Sequence, residues 1–467
     1  MTPNRCAGVF CGLLAVCGAS RANGQNGQTA PASPSVCRGE VISRIDVHSQ
    51  PPFPLGGPWF VSRVASLVTS RHSTTKESIV RRYLILQAGR PCNELDRLES
   101  ERILRAQPFF ASATVAAVPD TNGTVIIDVT TVDEISLVID ANVAAQAPVL
   151  RTLHLGEANL DGEAVYLAGA WDYSQFYRDV YKGRLTDYQF LGHPYRFSLE
   201  GIRNEFGGSW DGEISSPFLT ETQSNSWRIT AGSNNGYLSF IRPEALTVSL
   251  RSERAYEDIG GVHAFGPVRR RILIGGSFSR ERERTAHMPV IVLDSGIFQD
   301  TTSVLFNRYD AHQSSRLNLL LGYRDVQFMT VKGFDSPEGT QDVRTGFQVA
   351  TLFGRGIKIS SADERDYFVS GDLYAGAGSP TSFVAFETMG ERRRDFDSHQ
   401  WDGILGSGRA AWYVQPAEGN TFISDVEFSG GGRVRVPFQL TFANPEGGLM
   451  GYGSSHLGGG ERLITRL

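Results

Sequence analysis

At 467 residues the chain has room for two or three domains. A mean hydropathy of −0.20 with 40% hydrophobic residues excludes a helical membrane protein, while 51 glycines and 10% aromatics suit many short strands and turns. Forty-five basic against 50 acidic residues, a net charge of −5, leave no electrostatic footprint for nucleic acid.

Residues 1–22 read as a signal peptide: Arg5 supplies the positive start, Cys6 to Ala19 is apolar and small, and Ser20 to Ala22 forms a small-residue cleavage site. Leu14 to Cys17 is similar to a lipidation box, but Val16 stands where Gly or Ala is needed. A Gly/Gln/Pro/Ser-rich linker, 23–36, follows. Of five cysteines, Cys6, Cys11 and Cys17 leave with the signal, so Cys37 and Cys92 enter an oxidising compartment, where a disulfide is expected with Cα atoms within about 7 Å. No later stretch approaches the roughly 20 apolar residues of a spanning helix, so any membrane span has to be built of strands.

Residues 37–135 follow a βααββ order. Val41 to Val47 alternates as a strand, and a Pro/Gly-rich insertion (Gln50 to Pro58) and an apolar run (Trp59 to Val68) follow it. A helix is predicted from Thr74 or Thr75, with Ile79, Tyr83 and Leu86 on one face and Gly89 and Pro91 stopping it. Asn93 is a good N-cap for a second helix reaching Arg105. Ala111 to Val118 and Thr124 to Val132 then read as a hairpin turning at Asp120 to Gly123.

The run Glu99 to Val115, with Leu104 and Phe110 as anchors, resembles the signature of polypeptide-transport-associated (POTRA) repeats, and Asp133-Glu134 is similar to the end of their last strand. Asn159 to Gly162 resembles the entry to the barrel that follows such repeats in the BamA/TamA-like superfamily, with its surface antigen D15-type barrel. From there period-two alternation recurs: Val165 to Tyr173, Tyr195 to Leu199, Ile272 to Phe278, Leu317 to Tyr323 and Phe347 to Phe353. It is clearest from Arg433 to Phe442, where Val434, Val436, Phe438, Leu440 and Phe442 share one face, the one expected to meet lipid. The fold expected is therefore mainly β: an N-terminal α+β POTRA domain, 37–135, and a transmembrane antiparallel β-barrel, 150–467.

The resemblance also implies a loop of the type Val-Arg-Gly-Phe/Tyr folded into the barrel lumen. Leu449, Met450, Gly451 and Tyr452 are the preferred match, although Met450 replaces the arginine and cannot make a forked contact. Val331, Lys332, Gly333 and Phe334 are the alternative; Lys332 would bring a point charge. With roughly twelve strand candidates and room for one strand after Tyr452, the barrel is expected to lack closing strands, its first strand near Val165 and its last at Glu461 to Leu467.

No catalytic or metal-binding constellation is found and no cofactor is implied; Asp294 to Gly296 reads as a turn, and the basic triplets Arg269 to Arg271 and Arg392 to Arg394 suit anionic headgroups, a lumen or, by default, solvent. The resemblance implies a non-enzymatic factor for outer-membrane protein assembly or polypeptide translocation. Its POTRA domain would stand in the periplasm of a Gram-negative-type bacterium and guide client strands by its sheet edge. Its partners would be outer-membrane lipid, unfolded outer-membrane or secreted polypeptides, and periplasmic or lipoprotein accessory subunits. The alternative is a passive outer-membrane pore or surface receptor.

Overall fold

The structure is a computed structural model that describes residues 37–52, 73–143, 150–174, 178–242, 247–293, 296–302, 304–332, 340–417, 420–443, 447–449 and 457–467. The expected signal peptide and linker, and most of the Pro/Gly-rich insertion, lie outside these.

The first unit comprises β1 (Ile42–Gln50), α1 (Glu77–Tyr83), α2 (Glu94–Arg105), β2 (Phe110–Pro119) and β3 (Val125–Asp133). β3 is central, pairing parallel with β1 and antiparallel with β2. Alternation buries Val125, Ile127 and Val129 of β3, and the helices cover them with Ile79, Val80, Tyr83, Ile103 and Leu104. The Asn93 side chain accepts from Leu95 N–H, satisfying one free donor of α2. α1 is shorter than its periodicity predicts: the chain turns extended at Leu84, and Leu86 enters the core from beyond the helix. A disulfide joins Cys37 to Cys92, their Cα atoms 5.2 Å apart, tying the approach to β1 to the approach to α2.

The second unit is one antiparallel sheet rolled into a ring. Its strands are β4 (Leu137–Val143), β5 (Leu150–Glu157), β6 (Val165–Ser174), β7 (Arg178–Phe190), β8 (Tyr195–Asn204), β9 (Gly207–Ser216), β10 (Asn225–Phe240), β11 (Val248–Phe265) and β12 (Arg270–Thr285). A side hairpin, β13 (Val290–Leu293) and β14 (Gly296–Gln299), leans on β11. The ring continues with β15 (His312–Lys332), β16 (Thr340–Gly356), β17 (Asp366–Ser379), β18 (Ser382–Asp395), β19 (Trp401–Ala417) and β20 (Asn420–Gly432). After the two-residue pair β21 (Leu440–Thr441) and β22 (Gly458–Gly459), β23 (Glu461–Arg466) comes back beside β4. Leaving out the side hairpin, the ring counts sixteen strands among the described residues.

Each strand faces two solvents. On β15 the odd positions Leu317, Leu319, Leu321 and Tyr323 are exposed outward, while Arg316, Asn318, Leu320 and Arg324 are buried inward. The same apolar exterior appears at Ile272 and Ile274, Phe347 and Phe353, Val384 and Phe386, and Phe422, Val426 and Phe428. An apolar outside around a polar, charged inside is the pattern of a barrel in lipid, the reverse of a soluble β-protein. No helix among the described residues is long and apolar enough to cross a membrane.

Three expectations need correction. The sheet starts at Leu137, two strands before Val165, and holds sixteen strands where period-two reading counted about twelve. Arg433 to Phe442 is not a lipid-facing strand: only Leu440 and Thr441 pair, and Val434, Val436, Phe438 and Phe442 are half-buried. Its apolar and polar residues alternate in sequence while their burial does not, so sequence alternation alone cannot separate a strand from such a segment. The ends of the sheet do meet poorly. Neighbours along the ring are joined by registered ladders, but among the described residues none joins β23 to β4, and the sheet is not closed there. That gap lies between β23 and β4 and does not come from a shortage of strands.

A Leu321→Arg substitution, on the outward face near mid-strand, should cost about 2–4 kcal/mol in a bilayer folding titration. An unchanged folding free energy would mean that this face does not meet lipid.

Candidate functional site

The α/β unit sits over one mouth of the ring, held by side chains of α1 and α2 on the turns between barrel strands. Asn159 to Gly162, read from sequence as the entry to the barrel, is the turn between β5 and β6. Asn159 is 2% exposed. Its amide donates to Thr75 Oγ1 at 2.7 Å and its Oδ1 accepts from Ala164 N–H at 2.8 Å. Thr75 in turn donates from both N–H and hydroxyl to Asp133 at the end of β3. Gly162 has φ +69°, and a Cβ there would stand 2.4 Å from the Thr74 carbonyl oxygen, so glycine is required by the close approach of the two units. Lys76 reaches Asp161 and Glu163, which raise its pKa above the ordinary lysine value.

Further along the mouth, Tyr83 donates to the Tyr188 carbonyl and Gln189 donates to that of Ile79. Glu99 binds Arg102 and accepts the N–H of Glu221, whose carboxylate takes Arg324 at 2.6 Å. Arg105 forks onto Asp342 at the start of β16 with bonds of 3.0 and 2.9 Å. Phe109 packs on Tyr188 with ring centroids 5.8 Å apart, and Ala164 and Leu219 of the turns join the core of the α/β unit.

β2 is one of the two edges of that unit's sheet, and its middle is taken. Val115 N–H donates to Glu101 and its carbonyl accepts from Arg97, both on α2. Arg97 also chelates Glu94, whose carboxyl it holds below the usual range. Such side-chain cover is one way an edge strand is kept from pairing with a stranger.

Inside the ring a second layer of charge crosses the lumen. Glu281 on β12 receives Arg254 of β11 at 2.6 Å and Arg393 of β18 at 3.3 Å, and Arg316 of β15 forks onto Asp366 of β17 at 3.0 and 2.6 Å. Arg316 and Arg393 both lie over the Phe368 ring. Side chains from five strands thus fill this part of the interior.

The connection from β20 to β23 also folds inward. Arg435 meets Glu364 at 2.6 Å, His312 meets the same carboxylate at 2.7 Å, and Asp402 lies 3.6 Å from Arg435. Burial opposes ionisation of Glu364, but the hydrogen bonds from His312 and Arg435, with the guanidinium charge, hold its pKa down to about 2. Gln439 brackets Ile241 through both N–H and C=O. Thr441 and Gly448 offer carbonyls to Arg462 and Arg466, inward residues of β23.

This connection carries the preferred loop motif. Leu449 donates its N–H to the Phe442 carbonyl; Met450, Gly451 and Tyr452 lie outside the described residues. In the alternative motif Val331 is buried against Phe383 near the end of β15 on the α/β side, and Lys332 ends that strand. Gly333 and Phe334, like Asp294 and Ser295, lie outside the described residues. The arginine that binds acidic wall residues in this connection is Arg435, which alternates with Val434 and Val436 in the sequence. Its polar partners could not be named because they come from other strands. Among the described residues no group of three or more His, Cys, Asp or Glu could hold a metal ion.

No family model and no curated protein matches the chain. Solved structures similar in fold include BamA from Haemophilus ducreyi lacking POTRA domains 1–3, at 11% identity and TM-score 0.36 over 84% of this chain and 71% of that one. CdiB from Acinetobacter baumannii is similar at 10% identity and TM-score 0.41, over 85% and 65%. CdiB from Escherichia coli is similar at 9% identity and TM-score 0.35, over 87% and 81%.

Two predictions follow from these contacts. Asn159→Ala removes the bonds to Thr75 and Ala164 and should loosen the α/β unit by about 1–3 kcal/mol, read as faster hydrogen exchange in 75–83; unchanged exchange would deny Asn159 this role. Glu364 is depressed from an ordinary 4.5 to about 2, so its stabilisation is present above pH 4.5 and lost as pH falls through about 2. Glu364→Gln should therefore melt earlier than the parent at pH 7, with the gap shrinking as pH falls towards 2. A gap independent of pH would show that the carboxylate charge is not what holds Arg435.

Proposed function

We propose that this protein is an outer-membrane factor for the assembly or translocation of polypeptides. Its α/β unit would be a POTRA-type domain facing the periplasm, and residues 150–467 with the preceding strand β4 would be its membrane barrel. The observation that carries the reading is the pairing of two parts: a barrel with an apolar outside and a charged inside, and a small α/β unit bolted across one mouth by Asn159, Glu221 and Asp342. A solute pore needs an unobstructed lumen; here the Glu281 layer and the 433–443 segment occupy it, which favours a gated path over a passive one. Among the described residues no ladder joins β4 to β23, and their facing edges are where a client strand could pair. The β2 edge offers another once Arg97 and Glu101 release Val115. On this reading the residues at Leu449 to Tyr452 form the lumenal loop, with Arg435 supplying the charged anchor that Met450 lacks.

The test is a photo-crosslinker at the exposed Thr114 of β2 in cells, with single-channel recording of the reconstituted chain. Adducts with exported polypeptides, and conductance blocked by unfolded polypeptide, are expected. No adducts, with steady conductance indifferent to polypeptide, would establish the passive pore or receptor instead.

A further inference from the structure

A row of outward-facing side chains rims the mouth away from the α/β unit. Register places it across five adjacent strands: Leu317 of β15 opposite Arg355 of β16, Arg355 opposite Tyr367 of β17, Tyr367 opposite Arg394 of β18, and Arg394 opposite Trp401 of β19. One row nearer mid-strand, Leu319, Phe353, Val369 and Arg392 are opposite one another in the same way. Arg355, Arg392 and Arg394 are exposed, and among the described residues none has a carboxylate at ion-pair distance. Their support is aromatic: Arg392 lies 4.1 Å and Arg394 5.9 Å from the centre of the Trp401 ring. The exposed carboxylate beside them, Asp397, is engaged by Arg365.

Three guanidiniums without counter-charges, standing on the lipid side at the edge of an apolar band, suit phosphates at the depth of lipid headgroups. The inward neighbours differ: Arg393, between Arg392 and Arg394, is spent on Glu281 inside the lumen. The triplet is thus split by the strand's alternation into one lumenal and two lipid-side cations. Arg355 and Arg394 are two strand spacings apart, about 9–10 Å. That is a backbone spacing, which arginine side chains can bridge, so the choice of headgroup rests on charge: a phosphodiester carries one negative charge against these three cations, whereas a headgroup carrying two phosphates matches them more closely.

We infer that Arg355, Arg392 and Arg394, with Trp401 as their platform, form a site for a diphosphorylated glycolipid of the leaflet that surrounds this mouth. The inference rests on the membrane-barrel reading above.

The experiment uses the full chain in phosphatidylcholine nanodiscs, titrated with diphosphoryl lipid A, its dephosphorylated form or phosphatidylglycerol, with native mass spectrometry reading retained lipid. Diphosphoryl lipid A should be retained at least about tenfold more strongly than the other two, and R355Q/R392Q/R394Q should abolish that preference. R269Q/R270Q, at the opposite mouth, should leave it intact. Equal retention of the dephosphorylated lipid would overturn the site. Equal retention of phosphatidylglycerol would overturn the glycolipid assignment, and so would loss of the preference in R269Q/R270Q. Tryptophan quenching by brominated lipid separates the two levels: a chain that shows none is not embedded and the barrel reading itself fails, whereas an embedded chain without phosphate preference fails only here.

Discussion

In lipid a strand has to find every backbone hydrogen bond on its two neighbours, because no water replaces a missing one. The rest of this structure follows from that demand. It sets the rolled sheet and the long ladders of β10 to β12 and β15 to β20, and it makes the meeting of β4 with β23 the weak point, since both are short strands and no ladder joins them among the described residues. Each remaining residue can then only choose between outside and inside. Leu319 and Asn318, adjacent in sequence, are sent to opposite solvents by the pleat alone.

The inside of such a ring is costly to leave polar and empty of partners. Buried charges are tolerated when each is met, and breaking one partner away leaves the other stranded. Glu281 meets two guanidiniums within 3.3 Å, and Arg316 and Asp366 are mutually forked with both side chains at most 3% exposed. These pairs do not advertise stability so much as position: they hold β11, β12, β15, β17 and β18 to one another across the lumen, opposite the seam. Beside the seam stand the short ladder of β20 and β23, Arg466 on Asp425 and Glu427, and the inward segment behind it.

Local rules made the α/β unit legible. The Asn93 cap, the alternation of Val125 to Val129 and the spacing of Ile79 and Tyr83 each act within a few residues, and tertiary contacts agree with them. The barrel was legible as a kind and less so in detail. β4 and β5 are short and carry Asp140 and His154, so their alternation did not stand out from a linker. Arg433 to Phe442 alternated well and yet is no strand, because Gln439 spends its amide on Ile241 and the backbone on no neighbouring strand. The Asn159 turn carried a signal whose meaning lay elsewhere in the chain: its partner, Thr75, is 84 residues away. The lumenal layer was hidden for the same reason, since Glu281 and Arg393 are 112 residues apart and only ring order brings them together.

The docking of the α/β unit and the weak seam are linked by chain continuity. Only Glu134, Ile135 and Ser136 separate β3 from β4. The carboxylate that ends β3, Asp133, is the one that holds Thr75, and Thr75 is held from the other side by Asn159 on the barrel. Glu134 is fixed as well, its N–H on the Phe109 carbonyl, and burial raises its pKa. So β4, whose edge towards β23 carries no ladder among the described residues, has its start clamped between the two units. A displacement of the α/β unit large enough to break the Thr75 node has no slack in which to be absorbed and passes directly to that strand. The ladder of β4 with β5 resists it, because the hydrogen bonds of seven paired positions would have to shear together. The edge facing β23 offers no such resistance, so movement at the mouth is expressed first at the seam.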